Sequence, residues 1–398
     1  MFDISDIAVF IGLDVGKDEH HAVALDRAGK QLFSKPLPQD EAKLRALIEK
    51  YQQAGTVLLV VDQPATIGAL PVTVAQACGA VVGYLPGLAM RRIADLHPGE
   101  AKTDARDAAI IAEAARTMPH TLRALKTDDE TLAALAMLNG FDEDLATSAT
   151  AVSNRIRGLL TQIHPALERV VGAHLEHRAM VALLQKYPTP AALARAGQPR
   201  VGAFLAKSAP RAGKSWAQDV FTALGRQSVV VAGTDTAGLV LPQLAAQLAQ
   251  LRAQRLKLAA DIEGLVDAHP LSKVLMSLPG IGVRTAAVIL AEVCGKTFPT
   301  AAHLASYAGI APVTRRSGSS IRGEHPSRRG NKKLKRAFFL AAFAAIKTPL
   351  SRAYYDKKRA QGMRHNQALI ALARRRCDVI YAMLRDGTLY DEKLPKAA

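Results

Sequence analysis

The sequence is poor in cysteine and lacks an apolar run long enough to cross a bilayer. Its three cysteines, Cys78, Cys294 and Cys377, lie far apart and form no C-x-x-C pair. This argues against a disulfide framework or a zinc site and favours a reducing compartment. A membrane-spanning helix needs about 20 mostly apolar residues, and the first ten residues, MFDISDIAVF, lack the basic stretch of a secretory signal. We therefore expect a cytoplasmic protein without membrane contact.

Acidic residues are too few to balance the basic ones. The chain has 35 Asp and Glu against 52 Lys and Arg, a formal net charge of +17, which favours a polyanionic partner, most simply nucleic acid. Between residues 315 and 376 there are 18 Lys and Arg and only two acids, Glu324 and Asp356. A surface without such a partner normally intersperses both signs. We expect this stretch to contact phosphates, with binding that weakens as salt rises.

The 398 residues are enough for two or three domains, and the patterns change twice along the chain. Residues 1–122 predict three strands, then helix, strand, helix, strand and helix, which is the chain order of an RNase H-like α/β fold. Residues 123–265 show long Leu- and Ala-rich amphipathic helices, typical of a coiled coil or helix hairpin, with an inserted segment of shorter elements. Residues 266–398 are basic and are predicted to be helical.

A glycine-containing turn joins two helical segments at the start of this last region. The stretch VLMSLPGIGVRTAAVILAEV (274–293) predicts helix, turn and helix. Gly280 and Gly282 would let the backbone approach a phosphate, and the second helix would present its N-terminal N–H groups. The pattern favours a helix-hairpin-helix, a sequence-independent DNA-binding motif. The alternative is a plain helical hairpin with glycine in its turn.

Four aspartates occupy positions that suit a metal site. Asp14 ends the first predicted strand, in GLDVGKD, and Asp62 ends the fourth, in VVDQP. Asp104 and Asp107, in KTDARDA, begin the last helix of the α/β region on one helical face. A divalent cation would turn the repulsion of these carboxylates into attraction, and Mg²⁺ (or Mn²⁺) held by oxygens supports phosphodiester chemistry. Asp104 and Asp107 could instead be ordinary N-terminal residues of a helix.

This arrangement resembles the DEDD transposases of the insertion-sequence-110 family, whose N-terminal domain is RuvC-like. Three consecutive blocks, SLPGIGVRTA, ASYAGIAPVTRRSGSS and SRRGNKKLKRAFFLAA, resemble the family's transposase domain in the same order. The resemblance covers nearly the whole chain and is weakest across 170–240. One position departs from the family pattern: the second acid is often Glu and is Asp62 here.

The resemblance implies a second catalytic group, a serine nucleophile like that of serine recombinases. The matching position in GIAPVTRRSGSS is Ser317, with Ser319 and Ser320 as alternatives. Arg315 and Arg316 would hold the scissile phosphate and stabilise its charge. The stretch alone is also typical of a polar loop. The resemblance implies a DNA transposase or site-specific recombinase that cuts and rejoins DNA through a phosphoserine intermediate.

The resemblance also implies partners: double-stranded donor and target DNA, a structured guide RNA, and a homo-oligomer (dimer or tetramer), in association with the bacterial nucleoid. Four further basic residues are expected to contact nucleic acid: Arg328, Arg329, Lys332 and Lys333. Two other functions stay open. One is a RuvC-like endonuclease or junction resolvase that hydrolyses DNA with the four aspartates alone. The other is a non-catalytic nucleic-acid scaffold, which would not explain Asp14 and Asp62.

Overall fold

The computed structural model describes the backbone of residues 3–97, 103–125, 130–317 and 321–392. Within these ranges it also describes all side chains except those of residues 124, 315–317, 321 and 322. The chain forms two compact units, one up to residue 129 and one that contains nearly all of the chain from residue 130 onward. None of the described helices is both long enough and apolar enough to cross a membrane.

The first unit is built on one mixed sheet. Its strands are β1 (Ile7–Asp14), β2 (Glu19–Asp26), β3 (Gln31–Pro38), β4 (Thr56–Val61), β5 (Val81–Tyr84) and the two-residue β6 (Arg123–Ala124). They lie in the order β3-β2-β1-β4-β5-β6. The first three strands are antiparallel to one another, whereas β1, β4 and β5 run parallel. This mixed α/β arrangement is compatible with the predicted RNase H-like domain.

Helices cover both faces of this sheet. They are α1 (Glu41–Gln52), α2 (Ala69–Ala77), α3 (Gly87–Ala94) and α4 (Asp104–Thr117). The strand β4 shows why: Val57, Leu59 and Val61 are buried in the core on one face, and Leu58 and Val60 in the core on the other. A strand covered on both faces reads as a continuous apolar run, which is how TVLLVV could be recognised. The sequence did not predict α3 and β6.

The helix α4 lies directly on β1 because Gly12 has no side chain. A Cβ at Gly12 would be 2.3 Å from the carbonyl oxygen of Ala108 and 2.4 Å from the backbone nitrogen of Ala112. The helix begins at Asp104, as predicted, and its N-cap is Thr103, whose side chain accepts a hydrogen bond from Arg106 N at 3.2 Å. The close backbone contact fixes the start of α4 relative to β1.

The second unit begins with seven helices that include two long ones. They are α5 (Glu130–Ile163), α6 (Pro165–Ala173), α7 (Arg178–Lys186), α8 (Pro190–Ala196), α9 (Gln198–Ala206), α10 (Gly213–Leu224) and α11 (Thr234–Ala268). The first half of α5 shares a core with the second half of α11, and the opposite halves share another. The two helices are therefore antiparallel. A bidentate ion pair from Arg255 to Asp142 (2.8 and 3.0 Å) joins them and lowers the pKa of Asp142.

The last part of the second unit is helical except for one pair of strands. The helices are α12 (Ser272–Met276), α13 (Val283–Val293), α14 (Ala301–Tyr307), α15 (Lys332–Ala345), α16 (Pro349–Ala360) and α17 (His365–Asp386). The strands β7 (Val313–Ser317) and β8 (Ile321–His325) are antiparallel. The prediction of a helical region was wrong here, because the sequence VTRRS lacks the apolar alternation that marks a half-buried strand.

The contact between Gly12 and α4 predicts the effect of adding one methyl group. Gly12→Ala should lower the free energy of unfolding by about 1–3 kcal/mol, the usual cost of overpacking, because the new Cβ would overlap the backbone of Ala108. Urea unfolding followed by circular dichroism measures this. Gly87→Ala is the matched control, since its Cβ meets nothing within 4 Å. A Gly12→Ala variant as stable as Gly87→Ala would contradict the packing argument.

Candidate active site

Three of the four predicted aspartates lie toward one edge of the sheet in the first unit. In the parallel pairing of β1 with β4, Leu13 lies beside Val61. The next residues, Asp14 and Asp62, therefore follow on neighbouring strands at the same edge. Asp107 directly precedes Ala108, the α4 residue that contacts Gly12 of β1. Asp104 is the exposed first residue of the same helix.

The carboxylate of Asp62 lies in an environment that disfavours its charged form. Its Oδ1 atom is buried and has no hydrogen-bond partner among the described residues. Burial raises the pKa of Asp62, and the negative charge of Asp107 raises it further, while backbone N–H groups including those of Val15 and Gln63 oppose the shift. A buried carboxylate with an orphaned oxygen beside a second carboxylate is the electrostatic environment that a cation would relieve.

The donor atoms fit a hard divalent cation, since Mg²⁺ and Mn²⁺ prefer oxygen ligands. The negative charge of Asp107 raises the pKa of Asp62, and Asp14 is the last residue of the neighbouring strand β1. Within the described ranges, however, no three His, Cys, Asp or Glu side chains are close enough together to hold a metal ion. The described geometry thus supports a pair of coupled carboxylates, and the set of four stays a prediction.

A buried histidine fixes the loops around this edge, which the sequence analysis missed. His20, only 2% exposed, accepts a hydrogen bond at Nδ1 from Gly16 N (3.2 Å), so its Nε2 donates to Gln39 Oε1 (2.6 Å). The Gln39 amide in turn donates to the carbonyl of Ile67 (2.6 Å). Burial lowers the pKa of His20, which favours this neutral form. The chain of bonds joins the loop after β1 to the segment after β4.

In the second unit, the predicted nucleophile lies on a β-hairpin with a tightly closed base. Ser317 is the last residue of β7, and its backbone pairs with Ile321. We call residues 310–329 the arm. Its base is closed by Gly309 and Gly330, both at positive φ (69° and 97°). A Cβ on Gly309 would be 2.2 Å from the carbonyl oxygen of Arg329, and one on Gly330 would be 2.5 Å from Gly309 N. Only glycine fits such a crossing.

Asn331 also holds together the end of the arm where Gly309 and Gly330 meet. Its backbone N–H donates to the carbonyl of Tyr307 (2.7 Å), and its side-chain Oδ1 accepts from Leu334 N (2.9 Å), which caps α15. Its Nδ2 donates to Glu292 Oε2 (2.5 Å) and lies 3.2 Å from the Tyr307 hydroxyl. One side chain therefore joins α13, α14 and α15 where the arm leaves them. Asn in GNKKLK signals a helix cap in the sequence, but its link to Glu292 does not show there.

The basic residues expected to bind nucleic acid are partly described. The side chains of Arg328, Arg329, Lys332 and Lys333 are exposed, as phosphate contacts require. Those of Arg315, Arg316 and Ser317 lie outside the described side chains, and Ser319 and Ser320 lie outside the described residues.

The predicted glycine turn forms between α12 and α13, but its two glycines differ. A Cβ on Gly280 would be 2.5 Å from the carbonyl oxygen of Ala341 in α15, so this glycine serves internal packing. Gly282 is exposed, with nothing within 4 Å of its Cβ position. From α17, the buried Arg376 donates a hydrogen bond to the carbonyl of Pro279 in the turn. Burial lowers the pKa of Arg376 to about 10, so it stays charged at neutral pH.

Two family models match the chain. One, for the DEDD transposases of IS110 and described as a transposase, matches residues 11–165. The other is described as the transposase of the IS116/IS110/IS902 family and matches residues 272–356. The first match includes all four aspartates, and the second includes Ser317 and the glycine turn.

Three relatives match over almost their whole length. An uncharacterized 43.6 kDa protein of insertion element IS110 from Streptomyces coelicolor is 58% identical, over 99% of this chain and 98% of its own. A 44.8 kDa protein of IS116 from Streptomyces clavuligerus is 36% identical, over 97% of each chain. A 42 kDa protein of IS900 from Mycobacterium paratuberculosis is 37% identical, over 98% of this chain and 99% of its own.

The environment of Asp62 predicts a pH effect on stability. Because its pKa is raised in the folded state, the folded protein binds this proton more tightly than the unfolded chain. The free energy of unfolding therefore falls as pH rises from the ordinary carboxyl value of 3.8 through the raised folded value. Asp62→Asn removes this loss, and the variant should be more stable than the wild type at pH 7 in the absence of divalent cations.

Urea unfolding at pH 4 and pH 7 tests this prediction. The stability advantage of Asp62→Asn should shrink at pH 4, where more of the wild-type carboxyl is protonated. The exposed Asp6 provides the control, and Asp6→Asn should show no such difference between the two pH values. A variant Asp62→Asn that is less stable than wild type at pH 7 would contradict the prediction. The hydrogen bonds from backbone N–H groups would then stabilise the charged carboxylate by more than burial destabilises it.

Proposed function

Because this chain belongs to the IS110 family of insertion-sequence transposases, we propose that it cuts and rejoins DNA through a covalent bond to Ser317. Family membership makes the chain an enzyme of DNA recombination whose substrate is DNA. The proposal adds the nucleophile, the metal, the guide RNA and the assembly. The observation that carries it is the arm: a serine preceded by two arginines, on a β-hairpin whose ends are held together by two glycines and Asn331.

The chemistry of the covalent step follows from the residues of the arm. The Ser317 hydroxyl oxygen attacks a DNA phosphorus, the P–O bond to one sugar breaks, and the leaving DNA hydroxyl gains the proton that serine loses. Attack by the hydroxyl of another DNA end on the phosphoserine bond reverses these changes and restores the free serine. Arg315 and Arg316 neighbour Ser317 in sequence and would stabilise the charge on the phosphate. The phosphoserine ester keeps the energy of the broken DNA phosphodiester bond, so the strands can be rejoined without hydrolysis.

Asp14, Asp62, Asp104 and Asp107 would hold Mg²⁺ or Mn²⁺ in the RuvC-like domain. When bound, the metal supplies positive charge that positions the scissile phosphate and neutralises it. The buried and unpartnered Oδ1 of Asp62 supports this role. The backbone contact between Gly12 and α4 and the bonds of His20 hold the strand ends and the helix in place around it.

The partners follow from the charge of the chain and from its family. The exposed cations Arg328, Arg329, Lys332 and Lys333 would contact the phosphates of donor and target DNA. Gly282 and the first turn of α13 would add a helix-hairpin-helix contact. We further propose a structured guide RNA, and a dimer or tetramer that brings two DNA segments together through coiled-coil contacts of the long helices, since strand exchange needs at least two active sites.

A second function, hydrolysis of DNA by the RuvC-like domain alone, is favoured by one observation. The carboxylates of Asp62 and Asp107 are coupled at the edge of an RNase H-like sheet, and metal-dependent hydrolysis would need only these and their neighbours. In that case Ser317 would be dispensable.

Covalent trapping distinguishes the two functions. The full chain is incubated with Mg²⁺, RNA transcribed from its own element, and end-labelled donor and target DNA, and the products are separated on denaturing gels. Wild type should give a protein–DNA adduct, and digestion followed by mass spectrometry should locate the nucleotide on Ser317. Ser317→Ala should abolish the adduct, and Asp104→Ala should reduce both adduct and cleavage. Ser319→Ala and Ser320→Ala are the matched controls and should retain the adduct.

Two results would contradict the serine mechanism. Cleaved DNA without an adduct, unchanged in Ser317→Ala and lost in Asp104→Ala, would mean hydrolysis by the metal site. An adduct that persists in Ser317→Ala and disappears in Ser319→Ala or Ser320→Ala would place the nucleophile at a neighbouring serine.

A further inference from the structure

Three aromatic side chains cluster where α15, α16 and α17 meet; Phe343 and His365 are exposed and Tyr355 is half-buried. Phe343 and Tyr355 both lie edge-on to His365, with ring centroids 6.5 and 5.8 Å from the imidazole. The Tyr355 hydroxyl is 2.7 Å from His365 Nδ1. Phe343 is 55% exposed, and Leu340 and Leu350, close to it in sequence, are 47% and 42% exposed. A large apolar surface left open to water is usually a binding site.

The surroundings of this cluster are strongly basic. Residues 340–365 contain six Lys and Arg and a single acid, Asp356, which is already bound to Arg352 at 2.8 and 3.0 Å. Lys347 and Arg364 are both exposed. Lys347 is four residues after Phe343, and Arg364 directly precedes His365. The cluster therefore presents aromatic rings inside a field of uncompensated positive charge.

The neighbouring Tyr354 shows that not every aromatic ring here is available. Its ring lies 4.8 Å from the guanidinium of Arg375 and 5.7 Å from the ammonium of Lys358, and it packs against the buried core. These contacts join α16 to α17 and support the adjacent surface. Tyr354 thus has a structural role, whereas Phe343 and His365 face solvent.

We propose that Phe343, Tyr355 and His365 form a platform on which unpaired bases of a nucleic-acid strand stack, while Lys347 and Arg364 bind the adjoining phosphates. Combined aromatic and basic surfaces are how proteins hold single strands without reading their sequence. A DNA duplex could place phosphates on the cations, but it could not stack on the aromatic rings, because its base faces are already stacked on one another. An apolar protein surface would satisfy the rings but not the cations. This platform lies outside the proposed catalytic residues and does not depend on Ser317 or on a metal.

Fluorescence anisotropy of the full chain tests the platform. The probes are labelled (dT)20, labelled (rU)20 and a labelled 20-base-pair duplex, each titrated at several salt concentrations. Phe343→Ala should weaken single-strand binding by about ten-fold, the usual scale for losing one stacked base, and leave duplex binding within about two-fold. Phe343→Trp should retain single-strand affinity. A plot of the logarithm of the single-strand binding constant against the logarithm of the salt concentration has a negative slope. Lys347→Gln should reduce the size of this slope by about 0.7, the value for one lost phosphate contact.

The matched control is Phe141→Ala on α5, since Phe141 is 51% exposed but is followed by three acids in the sequence. It should leave all three affinities unchanged. Equal losses with (dT)20 and (rU)20 support a platform for bases of either strand, and a loss with one alone identifies that strand as the occupant.

The proposal is wrong if Phe343→Ala and His365→Ala both bind the single strands like wild type. It is equally wrong if Phe343→Ala alters the oligomeric state in size-exclusion chromatography without altering single-strand affinity, since the surface would then be an interface between copies. Circular dichroism of each variant ensures that a loss of affinity is not a loss of fold.

Discussion

The candidate metal site depends on a backbone contact that contains no functional group. Because Gly12 has no side chain, the backbone of α4 lies against β1 at Ala108 and Ala112. This contact determines where Asp107 lies relative to Asp14 and Asp62, which come from the ends of two parallel strands. Any larger residue at this position would move the helix and with it one half of the carboxylate set. Functional side chains keep a precise geometry only where the surrounding packing holds the elements that carry them.

The second unit uses the same principle around the arm. Gly309 and Gly330 cross so closely that neither tolerates a Cβ, and Asn331 ties the crossing to Glu292 and Tyr307. The adjoining turn between α12 and α13 is packed through Gly280 onto α15 and held by the buried Arg376. Burying an arginine is costly unless it is hydrogen-bonded. The hydrogen bond from Arg376 to the carbonyl of Pro279 offsets part of this cost and holds the turn in place. Glycines and one buried cation thus fix the segments that carry the candidate DNA contacts.

The sequence predicted those parts of the structure whose signals are local. The helix α4 begins at Asp104, where the sequence predicted the start of a helix, and β4 coincides with the apolar run TVLLVV. Long-range features could not be predicted in this way. The hydrogen bond from His20 to Gln39 joins residues 19 positions apart in the sequence, and the bond from Gln39 to Ile67 joins residues 28 positions apart. The strand sequences of the arm, VTRRS and IRGEH, carry charged residues and lack the apolar alternation that would mark them as strands. Gly280 was correctly placed in a turn, but its packing partner in α15 has no signature in the sequence.

The distribution of charge separates two tasks within one strongly basic chain. Among the described residues, several acids in the helical unit form ion pairs with arginines: Asp142 with Arg255, Glu143 with Arg336, and Asp356 with Arg352. Asp62 is different, because its buried Oδ1 has no hydrogen-bond partner in the described structure and its charged neighbour is another carboxylate. A chain with 52 Lys and Arg has ample means to neutralise one aspartate. The Oδ1 atom of Asp62 nevertheless stays buried without a partner among the described residues, at a cost in stability, which supports the proposal that this carboxylate holds a cation. Under the proposed function, the arginine-rich helical unit would contact the phosphates, and the carboxylates at the edge of the sheet would hold the metal.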